Sequence, residues 1–275
     1  MELEKYLNVK SSVEVLSRNE NQVFVETSIA GEYPLTLYVN KKPLVTLMTM
    51  GQDPEALALG YLKNQSLISS ISDIKKITID WDTDACVISL SENRGSIPSF
   101  MQERTVTSGC GQGTMLGNLL KKIDDIQLPK STIITQTVLH ELLTALRTRK
   151  TVYKKAGAVH GCALIKSREI IYFTEDVGRH NAVDAIAGKM MLDNVTGHDK
   201  YFYTTGRLTS EMVIKCIQME IPVLISRSGA THMGWKIAND AGLTMIGRAN
   251  GRHFLIFSGE DRFKFYDLNK ENTLT

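Results

Sequence analysis

Cys110 is set in TSGCGQGT, residues 107–114, among three glycines and three small hydroxyl residues. A free thiol packs like a small hydrophobe and usually sits in an apolar strand or helix. Here no apolar pattern flanks it, so the sequence places an accessible thiol on a loop. The chemistry open to such a group is nucleophilic: the thiolate attacks, and a following helix N-terminus, for which MLGNLLKKI is the candidate, would lower its pKa from about 8.5. The other three cysteines sit in apolar runs, Cys86 in ACVISL, Cys162 in GCALI and Cys216 in EMVIKCIQM. They are expected in the core.

Three further stretches gather polar groups where an apolar run gives way to a helical pattern. TEDVGRHNAVD (174–184) holds Glu175, Asp176, Gly178, Arg179, His180, Asn181 and Asp184. TTGRLTSEM (204–212) holds Thr205, Gly206, Arg207 and Ser210, and SRSGATH (226–232) holds Ser226, Ser228 and Ala230. Glycine, small hydroxyls and arginine at a helix N-terminus form an anion site, because free N–H groups and the dipole favour phosphate and arginine adds a bidentate fork. Ordinary helix capping explains Ser and Asp at one such loop; three in succession point to one pocket for a phosphorylated ligand. A fourth loop, GRANGRH (247–253), joins two strands. Turn chemistry accounts for Asn250 and Gly251, and leaves Arg248, Ala249, Arg252 and His253 to be explained.

The elements that must position these loops are legible as two patterns. The N-terminal part reads as strands: QVFVETSIA and PLTLYVN form an expected hairpin about GEYP, followed by KKPLVTLMTM, KKITIDW and ACVISL. DPEALALGYLKNQSLI is a helix with Asp53 as N-cap and Pro54 in its first turn. From TQTVLHELLTALRTRK onward, strands (AVHGCALI, EIIYFTE, KYFYTT, PVLISR, LTMIGR, HFLIFSG) alternate with helices (NAVDAIAGKMML, SEMVIKCIQM, THMGWKIANDA). That alternation predicts an α/β layered sheet, partly parallel. The composition shift puts a boundary at 128/129: residues 1–128 form a β-rich α+β part ending in the cysteine loop, and 129–275 an α/β part. With no linker between them, the two are expected to pack as one body.

The 275 residues, 43% hydrophobic, suffice for a real core, and a net charge of +2 gives no reason to expect nucleic acid as a partner. The start, MELEKYLNVKSS, reads as no signal peptide, and no run of about 18 apolar residues suggests a membrane span. Four dispersed cysteines without a CxxC pair fit a reducing cytoplasm. A P-loop, a GxSxG nucleophile and a zinc-ligand set are all missing from the sequence; His160 has either a packing or a pocket role.

EDVGRHNAVD, TGRLTSEMVIK and PVLISRSGATHMGWKIANDAGLTMIG resemble, in order, the motif series of the formate dehydrogenase accessory sulfurtransferases, the FdhD/NarQ family. AGAVHGCAL and DPEALALGYL add to the likeness, which runs from roughly residue 30 to 257. The resemblance implies a cytoplasmic sulfur carrier that takes persulfide sulfur from a cysteine desulfurase and passes it to the molybdenum cofactor, as bis-molybdopterin guanine dinucleotide, for formate dehydrogenase. It also implies a three-layer α/β/α sandwich with a mixed sheet, similar to cytidine deaminases, a homodimer, and no metal of its own. Cys110 then carries the sulfur, and the loops at 176–181, 205–210, 226–231 and 248–253 hold the cofactor, with a guanine nucleotide as its analogue.

One departure matters. The family's loop has the form S-x-C-G-x-C-G, and here Gly113 stands where the second cysteine would be. A single thiolate can still accept and hand on a sulfane sulfur. Without a resolving thiol, either an outside reductant completes the transfer or the chain binds the cofactor as a chaperone without sulfur transfer. A nucleotide-acting enzyme on the same fold would need an activating metal and a glutamate that the sequence does not offer.

Overall fold

The computed structural model describes residues 1–6, 8–91, 104–106, 123 and 125–265. Its strands are β1 (Glu2–Tyr6), β2 (Ser12–Arg18), β3 (Phe24–Ala30), β4 (Tyr33–Val39), β5 (Lys42–Thr49), β6 (Ile74–Asp80), β7 (Ala85–Leu90) and β8 (Arg104–Val106). They continue with β9 (Ile134–Thr135), β10 (His160–Lys166), β11 (Glu169–Asp176), β12 (Lys200–Thr204), β13 (Val223–Ser226), β14 (Thr244–Asn250), β15 (His253–Ser258) and β16 (Phe263–Lys264). The helices are α1 (Pro54–Asn64), α2 (Gln136–Thr148), α3 (Val152–Ala156), α4 (Arg179–Leu192), α5 (Ser210–Gln218) and α6 (His232–Asp240).

Two compact units result, and neither is a continuous stretch of chain. The first comprises Met1–Gly113, Lys150–Gly161 and Thr174–Val195; the second comprises Thr114–Arg149, Cys162–Phe173 and Thr196–Thr275. These units do not coincide with the expected cut at 128/129. The reason lies in α4, which follows β11 in sequence but packs along α1. A Cβ on Gly60 would stand 1.7 Å from the Asp184 carbonyl oxygen, and one on Gly188 1.8 Å from that of Ala56. The two helices touch backbone to backbone, which only glycine permits. A buried bond from Asn64 Nδ2 to Asp184 Oδ1 (2.6 Å) and an ion pair between Lys189 and Asp53 (2.6 Å) fix the crossing.

The first unit's main sheet has the order β1-β6-β7-β4-β5-β8, with parallel and antiparallel pairs alternating across it. Its core joins Leu35, Leu37, Leu47, Ile77, Ile79 and Ile88 of the sheet to Leu57 and Leu62 of α1 and to Ala185 and Met191 of α4. The hairpin expected about GEYP does not form. β3 pairs antiparallel with β2, and β4 pairs with β5 and β7. The alternation of β3 and β4 is strand-like as expected, but partner choice is non-local. Asp53 does occupy the N-cap of α1, but in a left-handed conformation and without a side-chain cap bond; its carboxylate goes to Lys189 instead.

The second sheet has the order β11-β10-β12-β13-β14-β15, with β12, β13 and β14 parallel and β15 antiparallel at the edge. Strands buried on both faces read as continuous apolar runs, as KYFYT and PVLIS do. Tyr201, Tyr203, Val223, Ile225 and Ile246 meet Leu139, Leu142, Leu143 and Leu146 of α2 in one core. The alternate residues Phe202, Leu224 and Met245 are fully buried on the opposite face. The expected mixed α/β architecture with a partly parallel sheet is therefore present. Among the described residues, no helix is long and apolar enough to cross a membrane.

Candidate functional site

Within the second unit, the loops after β12, β13 and β14 leave the carboxyl ends of adjacent parallel strands, the usual place for ligands in open α/β sheets. Their backbones are stitched together. Thr204 Oγ1 accepts from the Gly206 amide (3.0 Å), while Ser226 Oγ donates to the Gly206 carbonyl (2.6 Å) and accepts from the Ser228 amide (2.9 Å). The Arg227 amide donates to Thr204 O (3.3 Å), Leu208 N to Gly229 O (3.0 Å), Thr231 N to Leu208 O (3.1 Å) and Arg248 N to Ser228 O (2.8 Å). Leu208 and Ala230 complete the seam as a β-bridge. Gly247 lets the strands close, because a Cβ there would lie 2.6 Å from the Phe257 ring and 3.1 Å from Ser228 O.

On this platform Arg207 and Arg227, on two neighbouring loops, and Arg248, near the end of β14, are all exposed. Among the described residues, no carboxylate pairs with Arg207 or Arg248. Arg248 sits at φ 51°, beside the register shift between Gly247 and Asn250. A left-handed non-glycine residue costs roughly 1 kcal/mol or more, so this arginine is held where it is against a local preference. The nearby helix α6 is capped by Thr231, which accepts from the Gly234 amide (3.2 Å). α5 begins at Ser210 after Thr209, whose side chain makes no cap bond. Three guanidinium groups and two helix starts on one strand-end platform attract an anion with more than one charge.

The remaining expectations at this site divide. Thr205, Gly206, Arg207, Ser210, Ser228 and Ala230 lie on the platform, whereas Ser226 is fully buried with its hydroxyl occupied within the loop. Ala249 is a correction: it belongs to the apolar core against α2 and cannot face a ligand, because its position in β14 points it inward. The hairpin turn is also displaced by one residue. Asn250 pairs with His253, leaving Gly251 (φ 61°) and Arg252 as the two turn residues. Asn250, Gly251, Arg252 and His253 are all exposed there.

The loop at 174–184 belongs to the first unit, and most of its polar groups serve the fold. Glu175 caps α3, accepting from Val152 N (2.6 Å) and Tyr153 N (3.0 Å). The Asp176 carboxylate accepts from Thr49 Oγ1 (2.5 Å), Met50 N (3.1 Å), Gly178 N (2.9 Å) and Asn181 Nδ2 (2.9 Å); the Asn181 amide also donates to Met48 O (2.7 Å). Burial pushes the Asp176 pKa up, and the four donors pull against that rise. Asp176, Gly178 and Asn181, expected as cofactor contacts, thus form a knot that ties the start of α4 to the end of β5. Arg179 and His180 occupy the first turn of α4, both buried.

The same knot lies close to the root of the cysteine loop. β8 pairs in parallel with β5, matching Val106 with Leu47, and its last described residue lies four positions before Cys110 in sequence. Cys110, Gly113 and residues 115–122 of the helix expected in MLGNLLKKI lie outside the described residues. The three core cysteines are where expected: Cys86, Cys162 and Cys216 are fully buried. Burial, followed by the Glu55 charge, pushes the Cys86 thiol up to about 12, and burial alone raises Cys216. Cys162 donates to Thr204 Oγ1 (3.4 Å) beneath the platform. His160 starts β10 half-buried.

Two site residues were missed in the sequence. Arg227 stands between two serines after an apolar strand, the same signal that drew attention to Arg207, and it sits close enough to Tyr203 to offset part of the rise that burial imposes on that phenol. Thr49 gave no signal, since its partner Asp176 lies 127 positions away in sequence.

Comparison with known proteins follows this geometry closely in extent. The model of the FdhD/NarQ family matches residues 30–264. The sulfur carrier protein FdhD of Wolinella succinogenes is 30% identical over 95% of this chain and 89% of its own. That of Geobacillus kaustophilus is 30% identical over 89% and 93%, and that of Listeria monocytogenes 29% over 86% and 92%. The fold is similar to the crystal structure of a protein from Desulfotalea psychrophila assigned as a formate dehydrogenase accessory protein. The TM-score is 0.73 at 22% identity, covering 92% of this chain and 98% of that one.

Proposed function

This chain belongs to the FdhD/NarQ family, and we propose that it is a sulfur carrier in formate dehydrogenase maturation. Cys110 accepts persulfide sulfur from a cysteine desulfurase and passes it to the molybdenum cofactor, bound as substrate in its bis-molybdopterin guanine dinucleotide form, in the cytoplasm. The observation that carries the reading is the stitched platform at the ends of β12, β13 and β14, with exposed Arg207, Arg227 and Arg248. A dinucleotide's phosphates match that charge, and its guanine end makes GDP the natural probe. The sandwich layering similar to cytidine deaminases belongs to the same reading, supported by a second sheet buried on both faces.

The loading step balances with one thiol. The Cys110 thiolate attacks the outer sulfur of the desulfurase persulfide, an S–S bond forms on Cys110, and the desulfurase cysteine leaves as thiolate. In the outgoing step the outer sulfur leaves at the sulfane level and Cys110 returns to thiolate. Its conversion to sulfide takes two electrons, and with Gly113 in place of a second cysteine an added thiol must supply them.

The test is to incubate the protein with a desulfurase and cysteine and weigh it intact. The expected result is the mass of one added sulfur atom, abolished in Cys110→Ala. No adduct, with GDP binding intact, would replace this reading with the cofactor chaperone that the missing second cysteine also suggests.

A further inference from the structure

Trp235 is an open aromatic ring beside the arginine platform. It is the fourth residue of α6, the helix that the 226–231 loop enters, and it is 40% exposed. Trp81, the chain's other tryptophan, is only 8% exposed and belongs to the core of the first unit. The Trp235 ring is nevertheless held in one orientation. Its Nε1–H donates to the Phe257 carbonyl of β15 (3.0 Å), so the polar edge is satisfied within the chain. The His232 ring stacks on it, with centroids 6.0 Å apart and planes 28° from parallel.

This pair and the platform share their supports, all within the second unit. α6 packs on β14 and β15. The Phe257 ring fills the space that a Cβ on Gly247 would need, and the same Cβ would stand 3.1 Å from Ser228 O. Ser228 O in turn accepts from the Arg248 amide (2.8 Å). The aromatic pair and Arg248 are thus set on the same two strands and the same loop. α6 carries no acidic residue in its first turn, so nothing there repels a phosphorylated molecule.

Tryptophan is highly buried on average, because its large ring gains much from leaving water. A fixed, half-open ring forgoes part of that gain. With its N–H already bonded, what it offers another molecule is its π-face, and planar bases stack on such faces. We propose that Trp235, backed by His232, is the base-stacking end of this site: guanine lies against the indole while Arg207, Arg227 and Arg248 take the phosphates. The inference rests on the cofactor reading above and adds to it the residues that hold the base. Stacking tolerates any base, so Trp235 supplies affinity and orientation rather than a choice of guanine over adenine.

Titration calorimetry and tryptophan fluorescence of the full chain test it with GDP, guanosine and inorganic pyrophosphate. Loss of one base–aromatic stack corresponds to roughly 5- to 100-fold in affinity. Trp235→Leu should weaken GDP and guanosine by that factor and leave pyrophosphate unchanged, the mirror of an arginine variant. ADP should lose as much as GDP. Trp235→Phe keeps a ring and should retain most of the GDP affinity. It should also abolish the fluorescence quenching that GDP causes in the wild type, because the remaining Trp81 is buried. Circular dichroism and urea midpoints matching the wild type show that both variants fold. GDP affinity unchanged in Trp235→Leu, or GDP binding without quenching in the wild type, overturns the inference and leaves the arginine platform standing. An equal loss for pyrophosphate means that the substitution deforms the platform, and overturns it as well. A wild type that binds no GDP overturns it together with the cofactor assignment, whereas sulfur loading of Cys110, read by intact mass, is decided separately.

Discussion

Removing the Arg207 guanidinium tests the platform most directly. Arg207 is exposed, so in the free protein its charge is solvated and truncation to alanine leaves nothing buried and unpaired. Hydrogen bonds to charged groups contribute about 1.5–3 kcal/mol, and solvent competition at an exposed site selects the lower half of that range. Arg207→Ala should therefore weaken GDP by about 1.5–2 kcal/mol, roughly 10- to 30-fold. Guanosine, which has no phosphate, should bind both proteins equally. Raising ionic strength should weaken GDP binding in the wild type more than in the variant, because an exposed pair is screened beyond about 10 Å at 0.1 M salt. Arg248→Gly separates binding from stability at the same site. Glycine relieves the left-handed backbone at φ 51°, so stability should stay within about 1 kcal/mol of wild type or rise, while GDP affinity falls as in Arg207→Ala. Titration calorimetry reads the affinities, and urea unfolding reads the stability of Arg248→Gly. Unchanged GDP affinity in both variants, or an equal loss for guanosine, would reduce these arginines to solvated surface groups and remove the platform from the mechanism.

Gly188→Ala should destabilise the chain by about 3 kcal/mol or more in urea unfolding, since its Cβ would meet the Ala56 carbonyl at 1.8 Å with backbone on both sides; a near-neutral variant would mean that α1 and α4 can separate freely. Alkylation of the native protein at pH 8 should stop at one thiol, Cys110, because Cys86, Cys162 and Cys216 are fully buried, and only denaturation should release the other three for mass spectrometry. Burial raises Asp176 above its ordinary value, so between about 3.9 in the unfolded chain and the higher folded value the native state binds the extra proton. Its contribution to stability is therefore largest at low pH and is lost as pH rises through that window. Urea midpoints of wild type relative to Asp176→Ala, followed upward from about pH 4, should show that decline, and a flat difference would count against it.

The sequence was most legible where a pattern is local. Alternation announced β4 to β7, and helical spacing announced α2 and α4 to α6 within a residue or two, whereas α1 ends at Asn64, four residues before the expected Ile68. Partner choice was not legible, because it depends on residues far apart: β3 joins β2 rather than β4, and α4 joins the first unit through Gly60 and Gly188, 128 positions apart in sequence. The site shows the same division. Arginine beside glycine and serine after an apolar strand correctly drew attention to Arg207 and its loop. Composition alone could not tell a ligand contact from a loop fastener. Asp176, Asn181 and Ser226 carry the right chemistry for a ligand, but their hydrogen bonds close on Thr49, Met48 and Gly206. Ala249 looked like a spacer between two arginines and is instead core, because one residue's step along β14 reverses the face.

Gly113 determines what the outgoing step can be. With a second thiol beside Cys110, attack on the inner sulfur of the persulfide would release hydrosulfide, leave an internal disulfide, and so supply two electrons from the loop itself. With glycine there, the outer sulfur can only leave at the sulfane level or wait for an external thiol. Loaded protein without reductant should therefore retain its persulfide, and dithiothreitol should release sulfide in a single step. Gly113→Cys should release sulfide without added thiol, ending as a disulfide between Cys110 and the introduced thiol that intact mass detects as the loss of two hydrogens. Methylene blue measurement of sulfide from wild type and variant, each loaded and freed of reductant, decides it. Reductant-free release from the wild type would show that Cys110 does not depend on an outside thiol, and the consequence drawn from Gly113 would be wrong.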